Sequence, residues 1–412
     1  MKSSGGKAFQ TDTVRRMTRL GIAYAIASLV IGFTVGLFRL FMDNGTFYLS
    51  ILLPWYQLHS IFLIFGFLGA LLMTERLAGS ADVGGTGAVR FNAVMLLISI
   101  AGMSALSAGW GYGIESLRIS GALLLTAGSL MFTSFLIRLG RMAGDNPGFS
   151  IMASGTVSLA ISAMLIAIEL PNDNLPLIIQ MLLFPIMFVI GERIELTRFT
   201  GFHRRNALTS LVHTLSWIAI GTTALSSIVR EIDAYSYVFP LTAAVFLVLL
   251  IAAVTLFMER KRKTAGAMTE LQAYVGAGIS TAYFWLFAGI TLFLLRINGI
   301  TGLYDAAIHA VALGFIATFI FAHGPVIFPV VLGRKGNLKR LTFVPLYILT
   351  ISNSMRVFGD VAKTLASGSP SVFEMASGIV SLSGIVLAVS VVAFAVMMKR
   401  IMTGTRKGGQ SV

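Results

Sequence analysis

Five histidines stand in a chain of 412 residues that contains no cysteine. Two of them, His59 and His309, lie within long apolar stretches, where an ionisable side chain is costly and is therefore a functional candidate. Neutral imidazole is a common ligand for metal ions and for haem iron. Without cysteine, disulfides, zinc–thiolate sites, iron–sulfur clusters and covalently attached c-type haem are excluded. A metal or cofactor must then be held by histidine, methionine, carboxylates or the backbone.

The composition determines which elements can position these side chains. Hydrophobic residues make up 56% of the chain, charged residues only 12%, and the mean hydropathy is +0.86. A soluble domain carries roughly 25% charged residues, so this sequence cannot cover a water-exposed surface. A soluble enzyme, a disordered chain and a secreted module are excluded. The sequence predicts a multi-pass protein of the lipid bilayer.

Twelve segments are long enough to cross a membrane, which takes about 20 apolar residues. The predicted fold is therefore all-α: a single polytopic bundle of twelve transmembrane helices over residues 1–412, without a soluble domain. Residues 1–19 and 399–412 are predicted to form a cytoplasmic N-terminal segment and a cytoplasmic tail. The predicted spans are 20–41, 51–74, 91–110, 118–138, 150–170, 175–194, 207–228, 238–258, 271–295, 303–332, 341–358 and 376–398.

The basic residues predict the orientation of these spans. The chain holds 31 Lys and Arg against 17 Asp and Glu, a formal net charge of +14. With the N-terminus inside, 25 of the 31 fall on inner segments and six on outer ends, as the positive-inside rule requires. Both termini are therefore predicted to be cytoplasmic, in the plasma (inner) membrane of a prokaryote. Because the charge follows from topology, no nucleic-acid partner is expected.

This topology brings His59 and His309 to a similar depth. His59 lies about nine residues into span 2 and His309 about six into span 10, both counted from the outer side. At a rise of ~1.5 Å per residue, both lie roughly a third of the way across the membrane. Two imidazoles at matched depth on different helices suit the axial ligation of one haem iron. The alternative is that each histidine hydrogen-bonds to a neighbouring helix.

Two arginines end spans on the same outer side. Arg39 closes span 1 and Arg356 lies near the end of span 11. The planar guanidinium donates two parallel hydrogen bonds to a carboxylate, so both arginines are candidate contacts for the propionates or edge of a haem. The alternative for each is to extend towards the lipid headgroups.

A second polar group is predicted at the inner side. Glu192 and Glu195 are three residues apart on one face of span 6, and His213 and His323 are at comparable depth. These four side chains are a candidate for a second metal site or a proton route. The alternative is that the two carboxylates pair with Arg193, Arg198 or Arg205. His203 is predicted to lie in an inner loop.

Two of these stretches resemble a known family. Span 2, LHSIFLIFGFLGALLMTERLAG, and span 10, HAVALGFIATFIFAHGPVIFPVVLGR, are similar to the corresponding parts of the haem–copper oxidase subunit I superfamily. They are most similar to its catalytically reduced relatives, the NnrS-type membrane haem proteins. The resemblance implies that His59 and His309 are the axial ligands of a low-spin haem near the outer face, and that Arg39 lies beside it.

The departures from the family pattern bear on catalysis. The oxidases carry a further histidine on span 10 for a high-spin haem, whereas the neighbours of His309 are Ala307 and Val311. The oxidases also draw three copper ligands from spans 6 and 7, whereas these spans offer only His213. Nitric oxide reductases use a glutamate on span 6, but Glu192 and Glu195 lie nearer the inner end. The chain is therefore not expected to reduce oxygen alone.

The sequence predicts one b-type haem with two histidine ligands. The predicted function is membrane electron transfer or nitric oxide-related haem chemistry, with a respiratory redox partner or other membrane subunits. Two alternatives remain open: a twelve-span secondary transporter without haem, and a structural or assembly subunit of a respiratory complex. A visible spectrum distinguishes the transporter, which would be colourless.

Overall fold

A computed structural model describes residues 4–43, 55, 58–80, 85–168, 174–196, 207–233, 235–260, 269–332, 334, 336–366 and 368–403. All regular structure in these ranges is helical, as predicted. The twelve long helices are α1 Ser4–Asp43, α2 (His59–Ile61, Phe62–Gly69 and Ala70–Ser80), α3 Gly85–Tyr112, α4 Glu115–Met142, α5 Pro147–Ile168, α6 Leu175–Leu196, α7 Ala207–Ile232, α8 Val238–Arg260, α9 Glu270–Ile297, α10 (Tyr304–His309, Ala310–Ala317 and Thr318–Val331), α11 Val344–Leu365 and α12 Pro370–Thr403.

Each predicted span coincides with one of these helices, although residues 51–54, 56 and 57 of span 2 and residues 169 and 170 of span 5 lie outside the described ranges. Within those ranges, eleven helices are long and apolar enough to cross a membrane. The remaining helix, α11, is 22 residues long but contains Arg356, Asp360 and Lys363. Three of its polar residues are buried: Ser352, Asn353 and Asp360. The polar side of this helix therefore packs against protein and not against lipid.

The chain separates into two compact units, residues 1–240 and 241–412, and each is described by itself. The single bundle over 1–412 stays a prediction. At the N-terminus, α1 begins at Ser4, so the described part of the predicted cytoplasmic segment is helical. At the other end α12 continues to Thr403, and the rest of the predicted tail lies outside the described residues.

The first unit is packed around α6, which is buried along almost its whole length. From Leu175 to Gly191 its residues are apolar on every side except for Gln180, a pattern typical of a helix enclosed by other helices. Contact with α5 is close because small residues face each other: a Cβ on Gly148 would lie 2.5 Å from the carbonyl oxygen of Gly191. Small residues at such positions are the usual means of close helix packing in membranes.

The second unit has an apolar core formed by α9, α10, α11 and α12. Buried within it are Tyr274, Phe321, Leu346 and Phe394, and the rings of Phe321 and Phe394 stack with centroids 4.1 Å apart. This core supports the inner half of α10, the helix that carries His309 at its other end.

Candidate functional site

His59 and His309 share a local setting within their helices. His59 begins α2 and is followed by the π-helical segment Phe62–Gly69. His309 ends the first segment of α10 and is followed directly by the π-helical segment Ala310–Ala317. π-helical turns are rare and are frequently found at functional sites. The two histidines that the sequence singled out are therefore also marked by unusual backbone geometry.

The ring of His309 is oriented by its own helix. Its Nδ1 atom lies 2.7 Å from the carbonyl oxygen of Asp305. A carbonyl only accepts hydrogen bonds, so Nδ1 carries the proton and Nε2 has a lone pair in the neutral ring. A hydrogen bond from the other ring nitrogen to a backbone carbonyl is the usual support of a metal-ligating histidine. His309 is half-buried, which suits an iron ligand.

The ring of His59 lies against α1. A Cβ on Gly36 would be 3.4 Å from the Cδ2 of His59, so the imidazole packs against bare backbone. Gly32, one turn away, would meet the Cβ of Phe62 at 3.0 Å, and Gly66 would meet the Oγ of Ser28 at 2.7 Å. The small residues Ser28, Gly32 and Gly36, at every fourth position of α1, therefore pack against His59 and the π-helical segment that follows it.

Arg39 lies three residues beyond Gly36 on α1 and is half-buried. Residues three apart on a helix are neighbours on its surface, so Arg39 lies next to the part of α1 that packs against His59. This is the arrangement expected of a cation near a cofactor held by His59. Its contact with a haem propionate stays a prediction.

Arg356 has a carboxylate partner on its own helix. Its Nε lies 2.9 Å from the Oδ2 of Asp360, and both side chains are nearly buried. Asp305, on the helix turn that orients His309, and Lys363 also act on Asp360 electrostatically. Sequence analysis named Arg356 as a haem contact and missed Asp360, although an Arg and an Asp four residues apart in a helix are a recognisable pair.

A buried polar contact lies beside the π-helical segment after His309. A Cβ on Gly314 would lie 2.4 Å from the Cβ of Trp285 and 2.7 Å from the Nδ2 of Asn353. Asn353 is fully buried, and Trp285 is 3% exposed. Within the described residues, the amide of Asn353 and the indole nitrogen of Trp285 have no hydrogen-bond partner. The sequence did not identify either residue, because neither side chain is ionisable and neither stands out by charge in its span.

The inner carboxylates converge on one arginine. The Nη1 of Arg76 lies 2.6 Å from the Oε2 of Glu195, and its Nη2 lies 4.0 Å from the Oε1 of Glu192. Its guanidinium carbon is also 5.4 Å from the ring centroid of Phe188. Arg76 lies beyond the predicted end of span 2 at residue 74, whereas the structure places it inside α2 with a side chain that is 12% exposed.

Arg76 is a partner of the two glutamates that the sequence did not predict. Arg193, one of the predicted partners, acts on Glu192 electrostatically, and Arg76 forms ion pairs with both carboxylates. Arg198 and Arg205 lie outside the described residues, as does His203. Ion pairing of the carboxylates at the inner end, the alternative to a metal site, is therefore the arrangement that the structure contains.

The two inner histidines have other surroundings. The Nε2 of His213 is 2.9 Å from the Oγ of Ser150 on α5. His323 is buried, its Nδ1 is 3.1 Å from the carbonyl oxygen of Phe319, and its ring stacks on that of Phe319 at 4.0 Å. Over the described ranges, no three or more His, Asp or Glu residues are grouped so as to hold a metal. The predicted second metal thus gains no support.

The architecture defines a class of protein. A chain of a heme-copper terminal oxidase dimer, solved by cryo-EM, is similar to this chain with a TM-score of 0.64 and 13% sequence identity, over 97% of this chain and 85% of that chain. Six chains of solved structures match. The protein is thus an all-helical, polytopic membrane protein with the fold of a haem–copper oxidase chain.

The family assignment is independent of this likeness. The chain belongs to the family described as a domain of unknown function, DUF8744, which matches residues 16–400. No curated protein matches the sequence. The oxidase fold that the sequence led us to expect is confirmed, and the special closeness to NnrS-type proteins remains a proposal.

Proposed function

We propose that this protein binds one b-type haem, with His59 and His309 as its axial ligands, and transfers electrons within the membrane. The observation that carries the proposal is the hydrogen bond from Nδ1 of His309 to the Asp305 carbonyl at 2.7 Å. It leaves Nε2 as the nitrogen able to bind iron, in a ring that is half-buried. The oxidase fold supports the same reading.

The donor set fits a low-spin haem. Two neutral imidazoles fill both axial positions of the iron, and Arg39 supplies a cation on the surface of α1 that receives His59. When bound, the haem would supply one-electron redox chemistry, and the protein's own residues fix the ligand tautomer and exclude water. Arg356, which is paired with Asp360 at 2.9 Å, would be a second contact for a propionate.

The proposal includes no oxygen-reducing centre. A second haem would need a further ligand near His309, but Ala307 and Val311 are buried and have no donor atom. The inner carboxylates are engaged by Arg76. A chain that has the two low-spin haem ligands but lacks the ligands of a second haem and of copper resembles the catalytically reduced, NnrS-type members of the superfamily. A nitric oxide-related role for the haem is the finer form of this proposal.

The visible spectrum of the purified, full-length protein tests the proposal. Protein from haem-replete cells should show the sharp alpha band of a six-coordinate low-spin haem b after reduction, with one haem per chain by the pyridine haemochrome assay. A colourless preparation would contradict it and favour a transporter or a structural subunit.

The ligands are tested by three matched variants. His59→Ala and His309→Ala should each lose or convert the spectrum. His323→Ala should leave it unchanged, although His323 lies on the same helix as His309 and has the same kind of bond to a carbonyl four residues back. Free imidazole should restore the band in His309→Gly, which separates loss of a ligand from misfolding. Equal haem content in all variants would mean that other residues bind the iron.

A further inference from the structure

A polar cavity of about 400 Å³ lies in the first unit, and none of its lining residues is a candidate haem ligand. It is formed where α4 ends, α5 begins and α7 begins. Its volume falls in the range of small-molecule sites. Six of the residues that line it are polar: Arg141, Asp145, Asn146, Ser150, Ser210 and His213.

Helix ends locate the cavity at a membrane interface. Arg138 and Arg141, in the last turns of α4, are among the basic residues that predict the cytoplasmic side. Ile137, one turn before Arg141, also lines the cavity and is 37% exposed. An exposed apolar residue next to a polar cavity at the end of a span is suited to a molecule that is polar at one end and apolar at the other.

The neutral part of the cavity wall is held by hydrogen bonds. Ser150 lies 2.9 Å from the Nε2 of His213 and accepts a bond of 3.4 Å from the indole nitrogen of Trp217, which ties α5 to α7. Asn146 accepts a bond of 2.9 Å from the backbone nitrogen of Gly148 at the start of α5. These bonds fix the wall without using a charged residue.

The charged part of the wall has two opposite charges that do not pair. Arg141 and Asp145 are both exposed, and within the described residues neither forms an ion pair with the other or with a third group. The chain turns between them at Gly144 and Asp145, with φ values of 76° and 55°. Since α4 has ended, the four-residue separation does not bring their side chains together as it would in a helix.

We propose that this cavity binds the headgroup of a zwitterionic phospholipid that has a primary amine, a phosphoethanolamine lipid. Arg141 binds the phosphate, since guanidinium groups pair well with phosphate oxygens, and the hydroxyl of Ser210 donates to it. Asp145 accepts hydrogen bonds from the ammonium group. Ile137 contacts the start of an acyl chain. The site uses no residue of the proposed haem site.

Variants of the full-length protein that each remove one charge test this proposal. The protein is reconstituted in nanodiscs with equal amounts of phosphatidylethanolamine, phosphatidylglycerol and phosphatidylcholine, and retained lipids are counted by native mass spectrometry. The wild-type protein should retain phosphatidylethanolamine in preference to both others. Arg141→Gln should reduce this retention about tenfold, since one charge-assisted contact is lost. Asp145→Asn should shift the preference to phosphatidylglycerol.

The controls distinguish the site from general charge effects. Arg138→Gln removes the same charge one turn earlier on α4, outside the cavity, and should leave the preference unchanged. Asn tolerates the left-handed backbone at position 145, so Asp145→Asn should fold, which thermal unfolding checks. Soluble glycerophosphoethanolamine should compete for the site and inorganic phosphate should compete poorly. Equal competition by phosphate, or equal effects of Arg138→Gln and Arg141→Gln, would overturn the proposal.

Discussion

The hydroxyl of Tyr274 on α9 donates a hydrogen bond of 3.0 Å to the carbonyl oxygen of Phe321 on α10. In an uninterrupted helix that carbonyl would accept from the residue four positions later, which is Pro325 and has no N–H. Tyr274 is fully buried and supplies the missing donor. A neighbouring helix thus satisfies a backbone group that lipid could not.

We therefore expect Tyr274→Phe to destabilise the second unit by about 1 kcal/mol, the size of a typical hydrogen bond between membrane helices. Thermal unfolding in detergent measures this. Tyr347→Phe is the matched control, because Tyr347 is 61% exposed and its hydroxyl has no bond in the described structure. Equal behaviour of the two variants would show that the proline carbonyl finds another partner.

The close approach at Gly314 gives a second stability prediction. A Cβ there would overlap Trp285 at 2.4 Å, so Gly314→Ala should destabilise the protein by about 1–3 kcal/mol through overpacking. Gly276→Ala on α9 is the control, since a Cβ there meets no atom within 4 Å. That control should be neutral or stabilising, because alanine favours a helix over glycine. A tolerated Gly314→Ala would mean that the π-helical segment shifts easily.

Removing the cation of the inner cluster should be more harmful. Arg76→Met leaves Glu192 and Glu195 without the guanidinium that pairs with both, and breaking a buried ion pair from one side costs about 3–5 kcal/mol. Adding Glu192→Gln and Glu195→Gln to that variant should recover much of the loss. Arg90→Gln, an exposed change on α3, should have little effect. Unfolding midpoints of the four proteins provide the comparison.

Sequence reasoning found the helices because apolar length alone largely decides which segments cross a membrane. It found His59 and His309 because an ionisable residue in an apolar span stands out. It could not find the partner of Glu195, since Arg76 is 119 residues away and helix spacing rules reach only about four residues. It therefore considered the nearby Arg193, Arg198 and Arg205.

Two further features depend on tertiary contacts that no local pattern encodes. The π-helical segments after His59 and His309 have ordinary apolar sequences, and their geometry accompanies close contacts with Ser28 and Asn353. His213 had been grouped with Glu192 and Glu195 by depth alone. Depth along a span does not specify which way a side chain points, and His213 instead bonds Ser150.

The last prediction concerns small ligands of the proposed haem. If His59 and His309 occupy both axial positions, an external ligand can bind only by displacing an imidazole. The Asp305 carbonyl holds the His309 ring in place through a 2.7 Å hydrogen bond, and the neighbouring Ala307 and Val311 are buried without a donor atom. Carbon monoxide should therefore barely change the reduced spectrum of the wild-type protein. His309→Gly should bind carbon monoxide rapidly, because that variant has an open position. Rapid binding by the wild-type protein at full haem stoichiometry, or oxygen consumption with a quinol or cytochrome donor, would show a reactive site that this ligand set does not contain.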